Sequence, residues 1–251
     1  MQVIYEDNHI IVVSKRSGEI VQGDKTGDEP LSETVKAYLK EKYQKPGNVF
    51  LGVVHRLDRP VSGLVVFART SKALARLNKM FASGEVHKTY WAICATDGSL
   101  ATEEHGRTRN KNNLRVNPCS SAADNNPTLL THWLTRNEQQ NKSYAHDHEV
   151  PHSKKAQLRY RVLARGERYH LLEVELLTGR HHQIRCQLAA AGMPIRGDLK
   201  YGAKRSNPDG SISLLSRRIQ FVHPVSGQEI TLEAPLPDDP LWSALTSGVG
   251  L

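Results

Sequence analysis

Cysteine is scarce in this chain: Cys94, Cys119 and Cys186 are the only three in 251 residues. They are widely spaced, odd in number and not arranged in metal-ligand pairs. Reduced thiols of a cytoplasmic protein are expected, with no disulfide framework and no zinc site. Long apolar runs are missing too, none approaching the roughly 20 residues of a membrane-spanning helix. The start, Met1-Gln2-Val3-Ile4-Tyr5-Glu6-Asp7, lacks the basic-then-apolar pattern of a secretory leader. There is no low-complexity tract and no internal repeat, so neither a flexible tail nor a repeat architecture is expected.

What remains is ordinary for a globular chain, with 38% apolar residues. Such a length can bury one sizeable core, or a core plus a small appendage. Charge is more telling. The 34 Lys and Arg exceed the 26 Asp and Glu by eight, and a basic balance favours a polyanionic partner. The excess is concentrated between Lys154 and Arg218, including Lys155, Arg159, Arg180, Arg185, Arg196 and Lys200. Contacts of that kind position a nucleic acid on its phosphates without reading its sequence.

The pattern of elements is mixed. Val3-Ile4-Tyr5 and Ile10 to Val13, split by Asp7-Asn8, predict a hairpin. Leu31 to Leu39 has helical spacing, with Pro30 suited to the first turn. A second helix, carrying Leu74, Leu77, Met80 and Phe81, is capped by Thr70 or Ser71 and ended by Gly84. Residues 156–162 and 172–176 alternate around Gly166-Glu167-Arg168, another hairpin. Ile184, Leu188 and Ala191 face one way along a helix ended by Gly192, and Phe221 to His223 and Ile230 to Leu232 form a last strand pair. Hairpins dominate without regular alternation, which predicts an α+β fold with a largely antiparallel mixed sheet and flanking helices. The whole of 1–251 reads as a single catalytic domain. It carries an elaborated polar insertion at about 97–155, where Arg107, Arg109, Lys111 and Arg115 are placed either to grip RNA or to keep a loop soluble.

The chain is organised around Val54-His55-Arg56-Leu57-Asp58-Arg59-Pro60-Val61-Ser62-Gly63-Leu64. In an extended approach Arg56 and Asp58 share a face. Pro60 cannot donate a ladder hydrogen bond and Gly63 tolerates unusual dihedrals, so a strand would end near Asp58, with the carboxylate at a cleft rim. Taken alone, the two charges would pass for a surface ion pair. Three later stretches follow in order: Lys88-Thr89-Tyr90-Trp91-Ala92-Ile93, Leu177-Thr178-Gly179-Arg180-His181-His182-Gln183-Ile184-Arg185, and Gly197-Asp198-Leu199-Lys200-Tyr201-Gly202. Together these stretches resemble the RluA-type family of RNA pseudouridine synthases, whose signature is similar to H-R-L-D-x-x-T-S-G-L. The resemblance runs roughly from Val3 to Gly98 and from Ala156 to Pro237.

The resemblance implies a reaction that breaks the N-glycosidic bond of a uridine, turns the uracil and rejoins it through carbon. No oxidation occurs and no group is lost, so no cofactor is implied. It assigns Asp58 the catalytic role and Arg185 the cation that keeps this carboxylate charged. A buried target base must be flipped out of its stack. Tyr90 is implied to stack on that base, Arg56 to fill the space it leaves and Leu214 to pack beside it. His55 supports the motif. The implied partner is structured rRNA or tRNA, met by a monomer, with no membrane and no nucleotide cofactor. Many family members carry an N-terminal S4 domain; here the catalytic pattern begins almost at Met1, which leaves no room for one. Val61 departs from the usual threonine, Leu215 from a common histidine, and Cys186-Gln187 from a histidine after Arg185.

The same residues bear on other functional classes. A non-catalytic RNA-binding or chaperone module that kept the pocket would not need Asp58, Tyr90 and Arg185 intact. A metal-dependent nuclease would need clustered carboxylates, which the sequence does not offer. His146-Asp147-His148 with His152 invites a metal, but lies in a polar stretch without a Cys pair and reads as an exposed loop. Gly179-Arg180 opens a helix suited to phosphate, with no P-loop or dinucleotide fingerprint around it.

Overall fold

Apolar alternation, caps and turn residues account for most of the elements seen. The computed structural model describes residues 1–24, 26–95, 117–118 and 126–249. The first part of the chain forms β1 (Gln2–Glu6), β2 (Ile10–Lys15), α1 (Leu31–Lys42), β3 (Gly52–Val53), β4 (Ser62–Ala68), α2 (Ser71–Ser83) and β5 (His87–Ala95). Next come β6 (Asn117–Pro118), β7 (Thr128–Asn137), β8 (Lys142–His146), β9 (Lys154–Arg165), β10 (Tyr169–Leu176) and α3 (Gln183–Ala190). A short helical turn at Leu199–Tyr201 precedes β11 (Leu214–Val222), β12 (Glu229–Glu233) and α4 (Pro240–Thr246). The fold is α+β. Two compact units divide it, Met1–Thr89 with Leu215–Pro235, and Tyr90–Leu214 with Leu236–Leu251.

In the first unit the strand order is β1-β2-β4-β11, with β3 on β4 and β12 on β11. The predicted hairpin is present, Val3 facing Val13 and Glu6 facing Ile11. Strands β2 and β4 run antiparallel from Ile10–Ala68 to Lys15–Gly63, and Ile10 to Val13 and Leu64 to Ala68 are all fully buried. Only a two-sided core permits such unbroken apolar runs. The β4–β11 pair is parallel, Leu215 beside Ser62 and Ser216 beside Gly63. Thr70 caps α2, its hydroxyl accepting from the Ala73 N–H at 3.2 Å. Gly84 closes the helix in the left-handed region at φ 80°. Pro30 lies one residue earlier than expected, as the extended cap residue of α1.

In the second unit the order is β5-β10-β9-β7-β8, with β6 on β9. The hairpin of β9 and β10 pairs Leu158 with Leu176 and Ala164 with Leu171. The polar stretch from residue 97 to 155 is sheet in its later part: β7 pairs with β9 from Thr128–Tyr160 to Leu134–Lys154 and with β8 from Trp133–His146 to Asn137–Lys142. Short apolar pairs, Leu129-Leu130 and Trp133-Leu134, gave no clean alternation in sequence, yet β9 supplies a ready edge. Arg107, Arg109, Lys111 and Arg115 lie outside the described residues, as does Cys119. Helix α3 packs its Cys186 with Leu134, Ala156 and Tyr201.

Candidate active site

The predicted residues divide between the units. Arg56 and Asp58 belong to the first, and Tyr90, Arg185 and Leu214 to the second. The approach to Asp58 differs from the extended strand expected of it. Strand β3 stops at Val53, pairing only Gly52–Ala68 and Val53–Phe67, and residues 54–58 are irregular. Leu57 is buried between an exposed Arg56 and a half-buried Asp58. Among the described residues Arg56 makes no ion pair, so the bland surface-pair reading with Asp58 does not hold.

The turn after Asp58 is fixed carbonyl by carbonyl. The Asp58 carbonyl accepts from the Val61 N–H at 3.0 Å. Lys15, at the end of β2 and 1% exposed, donates its Nζ to the carbonyls of Arg59 at 3.0 Å and Val61 at 2.6 Å. It also reaches the Arg16 carbonyl at 3.0 Å. Gly18 N–H donates to the Arg59 carbonyl at 2.9 Å, and Ser17 Oγ to the Pro60 carbonyl at 3.2 Å. Burial pushes the Lys15 ammonium down to about 8, with Glu19 and Asp58 acting to keep it charged. Three consecutive carbonyls are thus held by Lys15-Arg16-Ser17-Gly18, a segment given no role by the sequence analysis. The one signal was a lysine closing an apolar strand.

His55 anchors the other side of the turn. Its Nε2 accepts from the Val66 N–H at 3.0 Å and its ring stacks on Phe81 at 4.8 Å. An accepting Nε2 leaves the proton on Nδ1, and burial beside Lys88 pushes the imidazole down to about 3. His55 is a neutral support at ordinary pH, as expected of it. Gly63 adopts φ 114°, and a Cβ there would stand 2.6 Å from the Ser216 nitrogen and 2.8 Å from its carbonyl carbon. Only glycine permits this parallel strand to approach so closely.

In the second unit Arg185 makes a two-pronged pair with Asp198, Nε to Oδ2 at 2.7 Å and Nη2 to Oδ1 at 2.8 Å. The two side chains are 7% and 1% exposed. The guanidinium lies over Tyr201, 5.1 Å from the ring centre. Tyr201 Oη accepts from the Ser143 N–H at 2.8 Å and shares a hydrogen bond of 3.0 Å with His182 Nδ1. Burial, with Arg185, His181, Lys200 and Arg136 adding to it, pushes His182 down to about 2. Asp198 was seen in sequence only as part of a turn; its role as the buried partner of Arg185 was missed. Tyr90 and Leu214 are buried on β5 and at the start of β11. His146 lies at the end of β8, 3.0 Å from Thr135 Oγ1, and among the described residues no three metal-ligating side chains converge.

The model of the RNA pseudouridylate synthase family matches residues 9–190. The chain belongs to that family. A ribosomal large subunit pseudouridine synthase D of Xanthomonas campestris pv. campestris is 30% identical over 258 residues, covering 95% of this chain and 67% of that one. The RNA pseudouridine synthase YhcT of Bacillus subtilis is 31% identical over 255 residues, covering 95% of this chain and 70% of its own. The solved human RNA pseudouridylate synthase domain containing 4 shares the fold. Its TM-score is 0.70 at 18% identity, over 98% of this chain and 92% of that one. This pseudouridine synthase is accordingly an isomerase acting on RNA. The family match includes Asp58, Tyr90 and Arg185, and stops short of Leu214.

Proposed function

We propose that the chain converts a specific uridine of structured ribosomal or transfer RNA to pseudouridine, with Asp58 as the catalytic carboxylate. The observation that carries this reading is the turn that presents Asp58. It is bound at three successive carbonyls by the Lys15–Gly18 segment, and its far end is fixed by the close β4–β11 approach. Such over-determination holds a reacting group in place before substrate arrives, which is what catalysis at a single sugar carbon requires.

The remaining roles follow from the chemistry. The target uridine leaves its stack at a cost of a few kcal/mol. Exposed Arg56 takes the vacated space, while Tyr90 and Leu214 offer the base an aromatic and an apolar surface. Arg185 binds substrate from a position already fixed by Asp198 and supplies positive charge that opposes protonation of a nearby carboxylate. The two units together serve one catalytic domain. Because the reaction is a redox-neutral rearrangement, no electron carrier or energy donor enters it. Among the described residues no helix is long and apolar enough to cross a membrane. The naming of the Xanthomonas relative for the large ribosomal subunit favours ribosomal RNA.

The test is pseudouridine mapping of total RNA from cells with the gene intact, deleted, or replaced by Asp58→Ala. Sites lost in both altered strains establish the activity, its substrate and the need for Asp58. Were purified protein also to give no product on ribosomal and transfer RNA, a non-catalytic RNA-binding role would replace this reading.

A further inference from the structure

The second unit holds a pocket of about 250 Å³ between the β7–β8 hairpin, the entry to β9 and the loop before α3. Arg136, His152, Lys154, Arg180 and His181 line it, with Ser143 among the neutral residues of its wall. No carboxylate contributes to the lining. Arg136, Lys154 and Arg180 come from three separate segments and are all exposed. Among the described residues none of the three makes an ion pair. Arg180 donates its Nε to the Lys155 carbonyl at 3.2 Å, which turns the group without neutralising it.

The wall itself is built, not merely charged. Ser143 pairs with Arg136 across the hairpin, and its Oγ bonds the His181 carbonyl at 2.8 Å and lies 2.9 Å from His181 Nδ1. His181 Nε2 lies 3.0 Å from Asn141 Oδ1. This network fixes the loop carrying Arg180 against the strand carrying Arg136. His152 adopts φ 64°, a left-handed conformation that is uncommon for a residue with a side chain and that histidine enters more readily than most. Several other arginines of the unit are paired: Arg161 with Glu173, Arg159 with Glu175, Arg196 with Asp239. Cations gathered without counter-charge around a concave surface favour an anionic ligand from solution.

We propose that this pocket grips a phosphodiester of the substrate RNA, with Arg136, Lys154 and Arg180 as its cationic contacts. The proposal rests on the RNA reading above and adds a specific place where the backbone is held. Its volume far exceeds the ~30 Å³ share of one water and admits a phosphate with part of its sugar. Such a contact fixes the register of the RNA and carries no base preference of its own.

The test measures binding of a fluorescein-labelled RNA hairpin to the full chain across a salt series. Arg136→Gln and Lys154→Gln, alone and combined, are compared with Lys36→Gln, which removes an equal charge from α1. Each pocket variant is expected to weaken binding on the order of several-fold and to reduce the slope of log affinity against log salt by about one. The double variant reduces it by about two. Lys36→Gln leaves the slope as in the parent. Slopes of both pocket variants equal to that of Lys36→Gln would overturn the proposal. Circular dichroism and melting confirm that each exposed substitution leaves the fold intact. Product formation by the unaltered protein is scored separately, so failure of the activity and failure of the pocket are told apart.

Discussion

Arg185 has a structural part in the fold that is separate from the substrate contact proposed for it. Its charge is buried against Asp198, and breaking such a pair by removing one partner typically costs about 3–5 kcal/mol. Arg185→Ala is therefore expected to lower stability by about 3 kcal/mol in urea unfolding, apart from any loss of turnover. Arg185→Lys keeps the charge without the fork, and is expected to recover only part of the stability. An unchanged urea midpoint for Arg185→Ala would refute the structural half of this account. Asp58 is the contrasting case. It is half-buried, and the turn beneath it is held through main-chain carbonyls, so Asp58→Asn should fold like the parent and bind RNA while product formation is lost. The sequence pointed to both residues through the family resemblance, since Asp58 and Arg185 stand in the motifs that carry it, whereas the charges around Asp58 alone read as a surface ion pair. It gave no sign of Asp198 or Lys15, whose importance arises from burial, and a lysine or aspartate in a one-dimensional string does not declare whether it is buried.

At the scale of elements the legible parts were those with local causes. The β1–β2 hairpin, α2 with Thr70 and Gly84 at its ends, and the β9–β10 hairpin all follow from turns, caps and alternation. The parts that escaped were non-local. Strands β7 and β8 depend on an edge that β9 offers, and the parallel β4–β11 pair joins segments more than 150 residues apart. The expected strand into Asp58 failed for a related reason: β3 shares the end of β4 with β2 and finds partners for only two residues. The close β4–β11 approach makes its own prediction. Gly63→Ala must place a Cβ against the Ser216 backbone at an unfavourable φ, so a loss of several kcal/mol is expected. If the chain still folds, product yield should fall with it, since the turn bearing Asp58 ends on that strand. A variant as stable as the parent would mean that β11 can move aside. Thr70→Ala, which removes only a cap, should cost about 1 kcal/mol and leave the product unaffected.

Across the whole molecule each unit contains a histidine kept neutral by its surroundings, His55 in the first and His182 in the second. Both have folded-state affinities for protons far below that of an exposed imidazole, at about 3 and about 2. In the unfolded chain each binds a proton near pH 6.5. Between those limits the unfolded state holds more protons than the folded one, so stability must rise with pH there and fall as the solution is acidified. The contribution is complete above about pH 6.5 and is lost progressively below it, at about 1.4 kcal/mol per pH unit for each histidine. The depressed carboxyl affinities of Glu6 and Asp7 act in the same direction at lower pH. Urea midpoints should therefore drop steeply from pH 6.5 to 4.5. His182→Gln, whose amide can still hydrogen-bond Tyr201, should be somewhat less stable at neutral pH but lose stability less steeply with acid. If its acid slope matched that of the parent, His182 would not be a group that takes up a proton on acid unfolding.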